Sequence, residues 1–484
     1  MNWDRLPLDE QRHIQNDRLH RFINDVVAPF SPYYRRVFAE HGIDPGKIKT
    51  VDDLQHVPFT SKADLIPTTE QPERFREFIV TPDLSVLRRR PRVVAEALWQ
   101  GRRAVERRVE REFRPIFLTA TTGRSSAPIS FVYSDYDLQN LRVAGARLVE
   151  TFGATTKMRG VNMFPYAPHL AFWQVVLAGL EFGMLVVSTG GGKVMGTDGN
   201  IAVIDKVKPD AIIGIPTFVY HVIRQAHEQG RRWPQVTKII LGGEKSPHGI
   251  RRKMVSLLQE MGAGDVRVSG TYGFTEARMA WGECPPPPGE WSGYHLSPDM
   301  GVFEVIDPET GAVKDEGEPG ELVYTPIDAR GTVVLRFRTG DYVDGGITWE
   351  PCPFCGRTVP RIVGNIGRAS STKELQFAKV KGTLVNFDIL QRILDDTHEI
   401  SEWQLEIRKA NDDPLELDEL ILHIALGNGT KIEPLTQKIR GEFLREVELT
   451  PNRIEVHPLD DMLQRIKLET SLKEVRILDS RPKL

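Results

Sequence analysis

Ala211-Ile212-Ile213-Gly214 and Ile239-Ile240-Leu241 are short apolar runs, and the stretch 248–261 that follows them carries apolar residues at helical spacing. A run this short, rich in β-branched residues and bounded by turn residues, is how a strand buried on both faces reads, whereas apolar positions recurring every three or four residues mark one face of a helix. The same alternation extends from about 116 to 330 and predicts parallel βαβ units, hence an α/β body.

Towards the amino terminus, Ile14, Leu19, Phe22, Ile23, Val26 and Val27 predict an amphipathic helix over 8–28. Towards the carboxyl terminus, Pro285 to Pro288 and then Gly289 can continue neither a helix nor a central strand, so 284–291 is a loop. The stretch from Asp341 to Arg368 is rich in Gly and Pro, after which an alternating strand and helix pattern resumes. A domain boundary is therefore expected near 369, as 484 residues are too many for one ordinary core.

Bulk composition is that of a globular protein, with 40% hydrophobic residues, 27% charged residues and a net charge of -3. No global field draws it to nucleic acid or to an anionic membrane. Residues 1 to 30 lack the apolar run of a signal peptide and no later stretch spans a bilayer, so a cytoplasmic location is expected. The three cysteines, Cys284, Cys352 and Cys355, are an odd number and do not form a disulfide framework. Cys352-Pro353-Phe354-Cys355-Gly356 is a Cys-x-x-Cys knuckle, and Cys284 and His295 bracket the proline loop before it. A Cys₃His set suits tetrahedral Zn²⁺ and would pin two long loops; reduced thiols or a redox pair are the alternatives.

Phe117-Leu118-Thr119-Ala120-Thr121-Thr122-Gly123-Arg124-Ser125-Ser126 runs from an apolar strand end into hydroxyls, a glycine and a cation. Backbone N–H groups around a glycine approach phosphate oxygens closely, hydroxyls add donors and an arginine adds charge. The segment is not a Walker loop, since the Gly-Lys-Ser/Thr ending is missing, and alone it is equally an ordinary turn. It is followed, in order, by Gly242-Gly243-Glu244-Lys245, Thr271-Tyr272-Gly273-Phe274-Thr275-Glu276, Arg338-Thr339-Gly340-Asp341 and Gly367-Arg368.

This ordered series resembles the adenylate-forming superfamily of acyl-CoA synthetases, peptide-synthetase adenylation domains and luciferases, over nearly the whole chain. Ser31-Pro32-Tyr33-Tyr34, the run from Val57 to Leu65 and the close from Lys473 to Arg481 resemble its phenylacetate-CoA ligase branch. The resemblance implies a large domain of layered α/β sheets over 1–368 and a small mobile α+β domain over 369–484. It implies that Thr119, Thr121, Thr122, Gly123 and Arg124 cradle the ATP phosphates. Gly243, Glu244, Tyr272 and Gly273 would line the adenine beside Thr271, Thr275 would touch the α-phosphate, and Glu276 would hold Mg²⁺. Asp341 would bind the ribose hydroxyls and Arg368 ribose or phosphate. Lys473 would bridge acid and α-phosphate and leave when the small domain rotates; Lys467 is its rival. Glu276, Thr122 and Lys473 are thus the expected catalytic set.

Ala120 stands where the family usually has glycine, Arg124 where lysine is common, and Ala369-Ser370-Ser371 where an acidic residue or lysine marks the hinge. The implied acid pocket comprises Phe164, Tyr166, His169, Gly214, Ile215 and Pro216, and the aromatic density from Phe164 to Trp173 points to an aryl or arylalkanoic acid. ATP and a small carboxylic acid would give an acyl-adenylate and pyrophosphate, and coenzyme A would take the acyl group. A carrier protein or a nitrogen nucleophile is the alternative acceptor, and a non-catalytic nucleotide-binding scaffold is the alternative to an enzyme. Residues 88–114 hold ten arginines against four glutamates above Val94, Leu98, Val105, Val109 and Phe113. They predict a basic surface helix, either a solvated face or a docking strip for coenzyme A phosphates or a carrier. A homodimer is compatible with all of this.

Overall fold

The computed structural model describes residues 3–68, 70–121, 128–368, 377–380, 383–412, 416–427, 429–447, 449–467 and 474–481. Strands Ala211–Gly214 and Lys238–Leu241 stand where the apolar runs predict them, and helix His248–Glu260 follows. Among the described residues they lie in a nine-stranded sheet whose strands Leu185–Ser188, Arg159–Asn162, Ala211–Gly214, Lys238–Leu241 and Arg267–Phe274 are parallel neighbours. Strand residues alternate in direction. Ile212 and Ile239 pack with helices Pro216–Glu228 and His248–Glu260, while Ile213 and Ile240 pack with Leu148, Phe152 and Phe172 from the helices on the other face. Both faces are covered, which is why these strands are apolar without alternation.

The long strand Arg267–Phe274 changes partner midway. Residues 267–270 pair in parallel with Lys238–Leu241, and residues 271–274 pair antiparallel with Met279–Glu283. The sheet then continues antiparallel through Tyr294–His295, Arg361–Ile362 and Ile347–Thr348. A second, antiparallel sheet is built of Gly301–Ile306, Gly320–Pro326, Phe337–Val343 and Ile366–Arg368. A third core forms from residues 387–477, where helices Phe387–Asp396 and Ile432–Val447 cover one face of the sheet made by Arg453–Val456, Asp418–Leu426, Ile400–Lys409 and Ile477–Asp479.

Two local expectations change. The first helix is Leu8–Phe22 and continues as a wider π turn, Ile23–Val27, into Ala28–Phe30. Pro29 has no N–H to give to the Asp25 carbonyl, and Arg90 donates to that carbonyl instead at 2.7 Å. The basic segment is two helices, Pro91–Gln100 and Arg102–Phe113, because Gly101 between them takes φ 86°. Val105, Val109 and Phe113 are buried as expected, but the break turns Leu98 and Trp99 outward, 84% and 85% exposed. Four of its ten arginines form ion pairs: Arg88 with Glu106, Arg108 with Glu96 and Glu112, Arg111 with Asp135, and Arg114 with Glu110. Among the described residues no helix is long and apolar enough to cross a membrane.

Candidate active site

In open α/β sheets the carboxyl ends of parallel strands leave a crevice where ligands bind. Here strand Ala211–Gly214 ends into Ile215 and Pro216, strand Lys238–Leu241 into Gly242-Gly243-Glu244, and the parallel part of Arg267–Phe274 into Thr271 to Glu276. Three expected groups thus meet at one edge.

Small residues let them approach. The Gly242 N–H donates to the Gly214 carbonyl at 3.2 Å, and Thr271 Oγ1 donates to the Leu241 carbonyl at 3.0 Å. A Cβ on Gly242 would collide with Thr271 Oγ1 and lie 3.4 Å from the Phe164 ring. Gly243 has φ +81°, which turns the chain back over Ile215 and Phe164. A Cβ on Gly273 would lie 2.5 Å from that of Ala280, so the Tyr272–Phe274 stretch lies flat on its partner strand.

Strand Phe337–Val343 brings Asp341 to the same edge, where Tyr272 donates its hydroxyl to Asp341 Oδ2 at 2.9 Å. Arg368 is in register with Asp341. Thr275 and Glu276 occupy the half-buried turn after the long strand. Thr119 is fully buried, its hydroxyl 3.0 Å from that of Tyr133. Thr121 exchanges two hydrogen bonds with Ile129, both 3.0 Å, and closes the neck of the loop. Thr122, Gly123, Arg124 and Lys473 lie outside the described residues.

The loop neck is tied to the expected acid pocket. Ala120 N–H donates to the Pro168 carbonyl at 2.6 Å, and His169 Nδ1 lies 2.9 Å from the Ala120 carbonyl. Phe164 is buried against Ile213 and Ile240, whereas Tyr166 is 63% exposed and meets Phe172 edge-on at 5.3 Å. Pro216 begins its helix and is buried.

Sequence reading missed a group from the far end of the chain. Thr217 donates to Glu244 Oε2 at 2.9 Å, and Glu474 hydrogen-bonds the same Thr217. Burial, with the negative charges of Glu402 and Glu244 beside it, pushes the Glu474 carboxyl up to about 8. Arg476 pairs with Glu474 and, at 2.7 Å, with Glu402, which Arg224 of the body holds at 3.2 Å. The carboxyl-terminal sheet is therefore seated on helix Pro216–Glu228.

The four expected zinc ligands are also gathered, their donor atoms within 4.8 Å of one another. Cys284 Sγ and Cys352 Sγ are 3.7 Å apart, and Cys355 Sγ lies 3.3 Å from His295 Nε2. Zn–S bonds of about 2.3 Å in a tetrahedron would set sulfurs about 3.8 Å apart, so the Cys284–Cys352 separation has the size of a metal site. His295 Nδ1 faces the Gly282 carbonyl at 3.2 Å, which leaves Nε2 to the thiols. Gly356, at φ 67°, folds the knuckle so that its N–H reaches the Cys352 carbonyl at 2.8 Å.

Residues 138–326 match the AMP-binding enzyme family. Over 95% of its length the chain is 25% identical to a phenylacetate-coenzyme A ligase of Thermus thermophilus, spanning 90% of that protein. Its fold is similar to that of a 2-hydroxyisobutyryl-CoA ligase in the postadenylation state, with TM-score 0.75, 16% identity and 99% of this chain on 91% of that one. Against the same enzyme in the thioesterification state the TM-score is 0.62, at 18% identity and equal coverage. This chain shares its sequence pattern and its two-part fold with adenylate-forming ligases.

Proposed function

We infer that this chain activates a carboxylic acid with ATP, giving an acyl-adenylate and pyrophosphate, and passes the acyl group to the thiol of coenzyme A. One observation carries the reading: the Gly242–Glu244 turn, the Thr271–Glu276 segment and Asp341 converge at the carboxyl ends of the parallel strands, joined by the Tyr272–Asp341 bond. Similarity along most of the chain to a phenylacetate-coenzyme A ligase supports it. An aryl or arylalkanoic acid fits the aromatic edge around Tyr166, Phe172 and Trp173.

Adenylation brings a carboxylate to a polyphosphate, so catalysis is charge neutralisation and positioning. Gly243, Glu244, Tyr272 and Gly273 form the adenine platform, and Asp341, oriented by the Tyr272 hydroxyl, accepts from a ribose hydroxyl. Thr121 fixes the neck from which Thr122, Gly123 and Arg124 serve the phosphates, while Thr119 anchors the strand beneath it. Thr275 faces the α-phosphate, and Glu276 offers the hard oxygen that Mg²⁺ prefers. When bound, Mg²⁺ neutralises phosphate charge. Lys473 is the bridging cation; its neighbour Glu474 on the Thr217–Glu244 pair supports this choice. Lys467 is exposed, just past helix Leu459–Arg465 at φ 57°.

The same reading divides the chain at 368/369, places it in the cytoplasm, where ATP and coenzyme A are available, and gives the Cys284, His295, Cys352 and Cys355 set a structural Zn²⁺. The test is pyrophosphate release across aryl, arylacetic and aliphatic acids, with and without coenzyme A, in wild type, Lys473→Ala and Lys467→Ala. An aryl-type acid should trigger release and coenzyme A should yield its thioester, with Lys473→Ala alone inactive in release. Release without thioester would move the acceptor to a carrier protein or a nitrogen nucleophile. Silence across the panel would leave a nucleotide-binding scaffold.

A further inference from the structure

The small sheet has two unlike faces. Leu405, Ile407, Leu420, Leu422 and Ile424 point to the covering helices and are buried among them. On the other face the alternation sets Gln404, Glu406 and Arg408 beside Ile421 and His423, and these beside Arg453 and Glu455. Helix Leu459–Arg465 covers only the Ala425 end of that face, through Met462 and Leu463. The rest is an open cleft of about 510 Å³ lined by Gln404, Glu406, Arg408, His423, Glu455 and Arg465.

Three metal-type donors meet at its edge. His423 is in parallel register with Glu455, and His457, two residues on, returns to the same face. His423 Nδ1 is 2.9 Å from His457 Nε2 and 3.3 Å from Glu455 Oε2, and His457 Nε2 is 3.8 Å from that oxygen. Nitrogen and oxygen donors about 2.0–2.1 Å from one Zn²⁺ in a tetrahedron would be about 3.3–3.4 Å apart, and the three separations bracket this value. The other nitrogen of the central ring is already committed: His423 Nε2 lies 2.9 Å from Glu406 Oε2. A carboxylate on the far nitrogen is the partner that fixes the tautomer of a metal-binding imidazole and raises its basicity.

Charge agrees. Arg465 stands behind the ring, 2.9 Å from His423 Nε2 and 3.2 Å from Glu406; in the metal-binding tautomer Nε2–H donates to Glu406, and Arg465 donates to the same carboxylate, so cation and carboxylate cancel. Glu419 takes up Arg453 at 2.8 Å and Arg408 at 3.4 Å. Arg453 also reaches Glu455 Oε1 at 4.0 Å, while Glu455 Oε2 faces the two imidazole rings.

We propose that His423 Nδ1, His457 Nε2 and the Glu455 carboxylate form a second metal site, for a divalent cation of the Zn²⁺ or Co²⁺ class, with its remaining position open to the cleft. It shares no residue with the cysteine cluster or with the nucleotide site. The test is titration of the full-length protein, as purified without added metal, with Zn²⁺ against a chromogenic chelator and with Co²⁺ followed by visible absorption. Wild type should take up a metal equivalent that His457→Ala and Glu455→Gln both lose, and Glu406→Gln should weaken it about 10–100-fold. The difference between the Co²⁺ spectra of wild type and His457→Ala, in which the cysteine cluster cancels, should show d–d bands without the sulfur-to-metal charge-transfer band that thiolate ligation gives. His457 and Glu455 are partly exposed, so their variants keep the fold, checked by far-UV circular dichroism. No uptake beyond the cysteine cluster, or uptake that persists in both variants, overturns the proposal.

Discussion

The turn at Gly242–Glu244 and the seam at Arg224, Glu402, Glu474 and Arg476 lie against each other through Thr217, yet they are held together by opposite means. The turn is a backbone structure in which glycines allow Thr271 and Phe164 to press against the main chain. The seam is two arginines and two carboxyls, with Glu402 only 3% and Glu474 only 5% exposed. Close packing has one good arrangement and resists any other. A buried charge cluster holds well only while every partner is present, because each ion has given up its water. On the proposed function, the first kind of contact suits a rigid platform for a nucleotide, and the second suits a docking joint that opens during the reaction.

Removing one partner from the seam should therefore have the largest effect. Arg476→Ala leaves Glu402 with Arg224 alone and strips Glu474 of its cation. Loss of one member of a buried ion set costs about 3–5 kcal/mol. The carboxyl-terminal sheet should detach, seen as faster proteolytic digestion of the carboxyl-terminal part and loss of acid-dependent pyrophosphate release with ATP binding retained. Unchanged proteolysis would mean that the apolar packing of the seam, not its charges, seats the sheet.

Gly242→Ala probes the other side of the comparison and should be milder. The new methyl group meets Thr271 Oγ1 and the Phe164 ring, so either the turn or the ring moves. Overpacking of this kind costs about 1–3 kcal/mol. ATP affinity should fall while the docking of the carboxyl-terminal sheet, read by the same proteolysis, stays as in wild type. If docking failed here too, turn and seam would be one unit rather than two.

The sequence made the turn legible and left the seam dark for a physical reason. Each part of the turn is contiguous, and the apolar strands before it, such as Ala211–Gly214, announce burial on both faces. The order of the motifs then places them at one sheet edge. Arg224 and Glu402 are 178 positions apart, and neither sits in a pattern that distinguishes it from a surface ion. The cysteine cluster was readable because cysteine and histidine at knuckle spacing have few other uses. The His423, Glu455 and His457 set was not, since its members are brought together only by the register of two parallel strands. Gly101 was read through as part of one helix, although a glycine at φ 86° is enough to make two.

Counted per pH unit, the smallest expected effect is the dependence of the seam on pH. Burial raises the Glu474 carboxyl from its ordinary value of 4.5 to about 8, helped by the charges of Glu402 and Glu244 and opposed by Arg476. Between these two values the folded chain holds a proton that the unfolded chain has released. Stability then falls as pH rises through this window, by at most about 1.4 kcal/mol per pH unit for one proton, and levels off above about 8. Thermal midpoints measured from pH 5 to pH 9 should decline in wild type and decline less in Glu474→Gln, whose amide stays neutral throughout. Parallel curves for the two proteins would place the Glu474 charge in solvent contact, and the joint would then be no more sensitive to protons than the glycine turn beside it.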